Sequence, residues 1–332
     1  MILRRSQIAK LAHRAGVTRL LLAGTQSPCL IALCYHRIGD PREDCYDPHV
    51  YSCTAEEFDD QVAYLKRAHG IATVDEVLAD FGTRRWKRAR VLLTFDDGYI
   101  DNYTTAFRVL RSHGVQGTFL LASDFVGTAH IPWWDAICHM IAATSERYIR
   151  VPCLTSQVFD KRQEGPGPVM RRILKLFFSA GKPDANDVLG DLERSTGISC
   201  APTGERRFLS WEEAREMQQS GMEIGAHSVS HRLLGHLSIE EQRREIAGCR
   251  ERMLRDMGVA PRVFAPPCGS GSPETRELIE AAGYSLSLSI DHGANRIPSW
   301  DPLSVRRVHV NHDDVKEVVR LKMALLSSGV SV

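Results

Sequence analysis

VLLTFDDGY, residues 91–99, is the stretch on which the interpretation of this chain depends. The five residues from Val91 to Phe95 are apolar or β-branched, which indicates a buried strand. Two adjacent carboxylates, Asp96 and Asp97, and a glycine follow directly. Like charges repel each other and lose hydration near a buried strand end, so they need a cation or hydrogen bonds to compensate them. A bound metal ion is one such cation.

The composition of the 332-residue chain indicates a globular protein with a substantial core, because 43% of its residues are hydrophobic and 25% are charged. A formal net charge of +1 gives no reason to expect a nucleic-acid partner. Nine cysteines without close spacing do not resemble a disulfide framework, so we expect a reducing compartment and a cytoplasmic location. We expect neither a signal peptide nor a membrane span, since the apolar runs are too short.

The N-terminal segment, residues 1–28, has a basic amphipathic helical pattern. The favoured interpretation is a helix that packs on the domain. The alternative is peripheral membrane contact, in which basic residues such as Lys10 and Arg14 bind anionic lipid.

Apolar runs typical of buried parallel strands alternate with helical patterns along the chain, as in an α/β sheet or barrel. The predicted strands are residues 30–35, 91–95, 118–122, 222–226, 263–265, 284–290 and 304–310. Residues 284–290 alternate strictly with serine, so one face of this strand is expected to be buried. Capping boxes that begin with Thr54, Ser210 and Ser238 predict helix starts. Seven strands are one fewer than the common α/β barrel contains, so a barrel with a gap and an open sheet are both allowed.

The carboxyl ends of parallel strands carry the functional site in such folds. His36, the Asp96–Asp97 pair and His227 all stand at predicted strand ends. His227 and His231 are four residues apart, the separation of one helical turn, so two imidazoles can face a common ion. Two imidazoles and one carboxylate make an open three-ligand set, and the other carboxylate can take a proton from water.

Three motifs, TFDDGY (94–99), HSVSH (227–231) and FAPPCG (264–269), resemble in this order those of the polysaccharide deacetylases, the NodB-homology or carbohydrate esterase family four enzymes. The resemblance implies an α/β fold, a distorted (β/α)7 barrel. We expect this barrel at residues 29–127 and 208–320. Residues 128–207 carry their own helical patterns and Gly/Pro-rich joins, which predict an inserted, mainly helical subdomain.

The resemblance also implies a role for each motif residue. Asp96 would be the catalytic base, and Asp97, His227 and His231 would bind a divalent metal, with zinc as the expected ion. The residues implied to contact the substrate are Tyr99, Pro266, Pro267 and Cys268. Of these, Cys268 would offer its backbone N–H to the oxyanion of the reaction.

The third motif departs from the family pattern at its first position. Ala265 stands where the family has an arginine that orients the base. We predict that Arg307, in the last strand, replaces it, because a guanidinium on an adjacent strand can pair with Asp96. An ordinary solvated arginine is the alternative interpretation.

The general acid has several candidates. The family's last motif, Leu-x-His, has no clean match, and His309 and His312 match it only approximately. LCYHRIGD, residues 33–40, resembles the YHR signature of a branch with circularly permuted strands, in which the histidine after the first strand is the acid. We therefore predict His36 as the acid, since an imidazolium can protonate a departing amine near neutral pH. A core histidine bonded to a loop carbonyl is the alternative.

Together these residues predict a metal-dependent hydrolase that removes the N-acetyl group from an N-acetylhexosamine unit in a polysaccharide or glycolipid precursor. Chitin oligomers, peptidoglycan, exopolysaccharide and lipid-linked sugars all stay open as substrates. A catalytically impaired carbohydrate-binding protein is a second hypothesis, motivated by Ala265. An amidohydrolase that acts on a small non-sugar amide is a third.

Overall fold

The structure, a computed structural model, describes residues 5–23, 27–43, 46–83, 85–179, 183–200 and 204–330. These residues form two compact units. The larger unit takes its described residues from Met1–Asp40, His49–Gly127 and Phe208–Val332. The smaller unit contains Thr128–Arg207 and also Pro41–Pro48.

The larger unit is a closed barrel. The strands of the described chain are β1 (Cys29–Tyr35), β2 (Arg37–Ile38), β3 (Tyr51–Cys53), β4 (Arg90–Phe95), β5 (Thr118–Leu121), β6 (Tyr148–Arg150), β7 (Val158–Asp160), β8 (Glu223–Ala226), β9 (Val263–Phe264), β10 (Leu286–His292), β11 (Asn295–Arg296) and β12 (Val305–His309). Seven of them are parallel neighbours in the order β1-β12-β10-β9-β8-β5-β4. Because β4 also pairs with β1, the sheet closes, and the predicted (β/α)7 barrel is confirmed.

Helices cover the outside of the barrel strands and build most of the smaller unit. They are α1 (Arg5–Arg14), α2 (Val17–Ala23), α3 (Ala55–Ala68), α4 (Val74–Glu76), α5 (Arg108–His113), α6 (Trp133–Ala143), α7 (Lys161–Glu164), α8 (Pro166–Ser179), α9 (Ala185–Thr196), α10 (Trp211–Gln219), α11 (Ile239–Met257), α12 (Thr275–Ala281) and α13 (Lys316–Ser328). The capping boxes expected at Thr54, Ser210 and Ser238 are present and begin α3, α10 and α11. Each box satisfies backbone N–H groups that the first helical turn leaves unpaired.

The smaller unit and the N-terminal segment are both mainly helical. In the smaller unit α6 packs against α8 and α9, and β6 pairs with β7 in an antiparallel hairpin. In the larger unit α1 and α2 pack against α13. None of the described helices combines the length and the apolar character needed to cross a bilayer.

Side chains of the barrel strands alternate between the barrel interior and the layer beneath the helices. The lower interior is apolar and is filled by residues that include Leu30, Leu92, Leu120, Val263 and Leu286. Towards the carboxyl ends the interior positions become polar. In β12 the apolar Val305 is followed two residues later by the buried Arg307 and then by His309. The barrel interior is therefore apolar over its lower part and polar at the carboxyl ends of the strands, which form the barrel mouth.

Candidate active site

The DDG motif makes a sharp turn directly after β4. Asp97 and Gly98 both have positive φ, 75° and 79°. A Cβ on Gly98 would also lie 2.7 Å from Leu121 Cδ2, so conformation and space both require glycine there. The turn holds Asp96 and Asp97 at the barrel mouth with only 3% and 4% of their surface exposed.

Backbone strain concentrates in the three motifs. In the described chain, the residues other than glycine with positive φ are Asp97, Ser228, His231 and Cys268. Such conformations cost of order 1 kcal/mol or more each and cluster at functional sites. All three motifs thus carry the backbone signature of a functional site.

Asp97, His227 and His231 form a buried cluster in which one ligand atom of each residue lies within 4.8 Å of the other two. Asp97 Oδ1 lies 3.5 Å from Nε2 of His227 and 3.3 Å from Nε2 of His231. Among the described residues this buried oxygen accepts no well-aligned hydrogen bond. His227 Nδ1 lies 2.7 Å from the carbonyl oxygen of Ala265, which can only accept, so Nδ1 carries the proton and Nε2 turns towards Asp97. The three donors fit a divalent cation.

The pKa shifts in this cluster follow from burial and proximity. Burial by itself would raise the pKa of Asp97, but the facing imidazoles of His227 and His231 outweigh it and lower the pKa below its usual range. Burial lowers the pKa of His231, whereas Asp97 and Asp96 outweigh burial at His227 and raise its pKa. Protons and a metal ion therefore compete for these ring nitrogens.

The two histidines lie in a loop after β8, so the prediction that they share a helical turn is wrong. The positive φ of Ser228 and of His231 bends this loop so that the rings approach, with centroids 4.8 Å apart. We name residues 227–231 the His loop. Backbone N–H groups of this loop donate to a side chain, whereas in a helix they would donate to carbonyl groups of the preceding turn.

That side chain is Glu245 of α11, a buried residue that the sequence analysis missed. Glu245 accepts hydrogen bonds from the N–H groups of Val229 and Ser230, both at 2.9 Å, and from the Ser230 hydroxyl at 2.5 Å. One sign of this role is visible in the sequence, since Glu245 stands on the buried stripe of α11, next to Ile246, where a charged residue is unusual. Glu245 positions the His loop and hence both imidazoles.

Asp96 and Arg307 form a buried ion pair across the barrel interior. Arg307 Nη1 donates to Asp96 Oδ1 at 2.7 Å, and the two side chains are 1% and 4% exposed. Arg307 Nε donates to the carbonyl oxygen of Ser289 at 2.9 Å. Burial would raise the pKa of Asp96, but Arg307, followed by His227, lowers it below its usual range. Asp96 is therefore an ionised carboxylate beside the cation cluster.

His36 and Cys34 lie beside the second oxygen of this carboxylate. The donor atoms of Cys34, His36 and Asp96 all lie within 4.8 Å of one another. Cys34 Sγ donates to Asp96 Oδ2 at 3.6 Å, and burial raises the pKa of the thiol well above its usual value. The backbone of His36 is held by Ser52 and Asn102, at 3.0 and 2.8 Å.

His309 and His312, the other candidate acids, have different surroundings. The His309 ring stacks on His36 with centroids 6.3 Å apart. Burial, and then the nearby Arg307 and His36, lower the pKa of His309 to about 4. His312 Nε2 lies 3.2 Å from a carboxylate oxygen of Asp313. A ring with so low a pKa is a poor proton donor at neutral pH, so the surroundings favour His36 over His309.

Asp101 and Asn102 position the turn after β1, and the sequence analysis also missed both. Asp101 pairs with Arg37 at 2.8 Å and accepts the N–H of Ile38 at 3.0 Å. Asn102 donates to the carbonyl oxygen of His36. Both residues stand within three positions of the end of the DDGY motif, and their hydrogen bonds connect it to the YHR segment.

The predicted substrate contacts differ in accessibility. Tyr99 is fully buried and its ring stacks on Phe208 with centroids 4.9 Å apart, so we remove it from the proposed substrate contacts. Pro267 is also buried, whereas Pro266 and Cys268 are partly exposed. Burial, followed by Asp97 and Asp96, raises the pKa of the Cys268 thiol to about 12, so this side chain stays a neutral thiol.

Comparison with known proteins gives matches in sequence and in structure. A family model described as "Polysaccharide deacetylase" matches residues 84–287. Peptidoglycan-N-acetylmuramic acid deacetylase PdaC of Bacillus subtilis is 24% identical over 228 residues, 66% of this chain and 47% of PdaC. Streptococcus pyogenes deacetylase PplD, solved in complex with acetate, has a TM-score of 0.59 at 17% identity, and the match covers 89% of this chain and 98% of the PplD chain. IcaB from Ammonifex degensii has a TM-score of 0.58 at 21% identity, with 92% and 99% covered.

The two solved structures show that the fold is shared. The chain spans about half the length of the curated relatives it matches, 46% and 47%. The family model covers more than half of the chain and includes all three motifs. The chain therefore belongs to the polysaccharide deacetylase family.

Proposed function

We propose that this protein is a metal-dependent deacetylase that hydrolyses the N-acetyl group of an N-acetylhexosamine unit in a polysaccharide or glycolipid precursor. The observation that carries the proposal is the buried Asp96–Arg307 pair beside the Asp97, His227 and His231 cluster. One carboxylate is kept ionised next to a cation site, which is an arrangement suited to metal-assisted hydrolysis of an amide. Zinc is the first choice of ion for one carboxylate and two imidazoles.

Asp97, His227 and His231 would hold the divalent cation, which when bound polarises the acetamide carbonyl and acidifies water. Asp96 accepts the proton of the attacking water, and Arg307 keeps this carboxylate ionised and fixed in orientation. The backbone N–H of Cys268 would donate to the developing oxyanion, as the resemblance of its motif implies.

His36 then donates a proton to the nitrogen of the departing sugar. The carbon–nitrogen bond breaks, and acetate and a free amino sugar are released. The position of His36 beside Asp96 and the low pKa of His309 support this assignment. The assignment to the branch with an N-terminal YHR strand stays a prediction.

The Asp96–Arg307 pair also argues against the hypothesis of an impaired binding protein. That hypothesis arose because Ala265 replaces the motif arginine. Arg307 supplies a guanidinium to the same carboxylate from β12, so the base has a cationic partner. The name of PdaC, a relative said to act on N-acetylmuramic acid, supports an acetylated amino sugar as substrate. The domain boundaries and the cytoplasmic location stay predictions.

A substrate panel tests the proposed function. Zinc-loaded protein is incubated with oligomers of N-acetylglucosamine, peptidoglycan fragments and a simple non-sugar acetamide, and acetate is measured. We expect release from one of the sugars and none after chelation. Release from the non-sugar amide alone would instead establish the small-amide hydrolase, and no release with zinc bound would overturn the proposal.

A further inference from the structure

A groove of about 450 Å³ lies beside the barrel mouth, between α1 and α13. This volume falls within the usual range of small-molecule sites. On its α13 side, Val318, Leu321 and Leu325 stand at helical spacings of three and four residues and so form one apolar stripe. Lys322 also lines this side, and its ammonium group donates to Asp314 at 2.7 Å. The stripe extends over about 10 Å, the rise of seven helical residues. Ile8 of α1 forms the opposite side.

The groove lies next to the candidate active site. His292 and His309, at the carboxyl ends of β10 and β12, line its polar end. His309 also stacks on His36, which in turn lies beside Asp96. The imidazole ring of His309 therefore stands between a molecule in the groove and the proposed acid, His36. The occupant that this proximity favours is part of the substrate itself.

The neighbouring surface is apolar as well. Ile8 and Leu11 of α1 are 50% and 54% exposed, and Leu20 of α2 is 75% exposed. Lys10 and Arg14 are exposed on the same helix as Ile8 and Leu11. Exposed apolar side chains next to basic ones are the pattern of a surface that touches an anionic bilayer. A substrate with its chain in the groove would therefore be taken from a membrane.

We propose that the groove between α1 and α13 binds an alkyl chain attached to the acetylated sugar, so that the substrate is a lipid-linked amino sugar. This inference rests on the proposed function, because it places the sugar at Asp96. The sugar occupies the barrel mouth, and its apolar chain passes His309 and lies along Leu321 and Leu325.

Binding to chelator-treated protein tests the groove without turnover. Dodecyl and methyl N-acetyl-β-D-glucosaminide, both kept monomeric, are titrated by calorimetry. We expect the dodecyl compound to bind at least tenfold more tightly. Leu321→Gln and Leu325→Gln should each reduce this advantage at least fivefold and leave methyl binding unchanged. Leu254→Gln is the matched control, because Leu254 is a leucine 46% exposed on α11, outside the groove.

Equal affinity for the two compounds would overturn the inference. An advantage that Leu321→Gln, Leu325→Gln and Leu254→Gln all leave intact would overturn it too. Acetate release by the zinc-loaded protein is then measured on both compounds. Chain-dependent binding without acetate release would support the groove and contradict the proposed function, so the two failures are distinguishable.

Discussion

Replacing Arg307 by methionine removes the cation that compensates Asp96 inside the barrel. The pair is 2.7 Å apart and its side chains are 1% and 4% exposed, so water replaces little of the lost interaction. Breaking a buried ion pair from one side costs about 3–5 kcal/mol, since the remaining charge stays buried. Arg307→Met and Asp96→Asn are therefore each expected to lower the free energy of unfolding by about this amount.

The double variant separates the pair interaction from the other contacts of each residue. It leaves neither charge uncompensated, so its destabilisation should fall short of the sum of the single variants by about 3 kcal/mol. Urea unfolding of chelator-treated protein is followed by fluorescence and by circular dichroism, and agreement of the two probes supports a two-state analysis. The matched control is the more exposed Arg90–Glu76 pair, for which Arg90→Met and Glu76→Gln should couple by less than about 1 kcal/mol.

Additive effects at Arg307 and Asp96, within about 0.5 kcal/mol, would refute the reasoning that Arg307 stabilises the ionised base. The same result is expected if Arg307 contributes only its hydrogen bond to Ser289.

Three further changes test the supports of the site and the acid stability of the barrel. Glu245→Ala should weaken zinc binding about 10- to 100-fold relative to the exposed Glu251→Ala on the same helix, because the His loop loses three hydrogen bonds, and competition with a chromogenic chelator measures this. Equal affinities would remove Glu245 from the account. Gly98→Ala should destabilise the protein by about 2 kcal/mol more than Gly114→Ala in urea titrations. Both glycines have positive φ, but a Cβ on Gly114 meets no described atom within 4 Å. Equal decreases in the free energy of unfolding would contradict this prediction. Burial lowers the pKa of His69 to about 4, so the unfolded chain takes up a proton first as the pH falls below about 6.5. The free energy of unfolding at pH 4 is therefore about 3 kcal/mol lower than above pH 6.5 because of His69 alone. In urea titrations at pH 7 and pH 4, His69→Phe should remove this part of the decrease. An unchanged decrease would show that His69 is not its source.

The barrel strands were predictable because a parallel strand inside such a fold is covered on both faces. Continuous apolar runs mark strands such as β1 and β4. The ends of every predicted strand lie within two residues of those observed, as 91–95 does for Arg90–Phe95. Closure was implied by the family resemblance but not by the strand patterns, since it depends on hydrogen bonds between β1 and β4 that no pattern within one strand reports. The hairpin of β6 and β7 was missed because three residues do not make a periodic pattern.

The site residues were easier to predict than the geometry between them. Asp96 and Arg307 both occupy interior positions near the same barrel end, and their pairing was predicted. The prediction that their strands are adjacent is wrong, because β1 lies between β4 and β12 and the two side chains meet across the interior. The spacing of His227 and His231 suggested a helix, but Glu245 satisfies the backbone donors of the His loop in another conformation. Such a contact joins residues that are distant in sequence, and it leaves no local signal.

Zinc content and acetate release, measured together in the variants Asp96→Asn and His231→Gln, test the proposed site most directly. We expect Asp96→Asn to keep as much zinc as the wild type and to release acetate about 10²- to 10⁴-fold more slowly, because the base is lost and the ligands remain. His231→Gln should lose both zinc and activity. Acetate release by Asp96→Asn at the wild-type rate, or full zinc affinity in His231→Gln, would contradict the central claim that these residues form a metal-dependent deacetylase site.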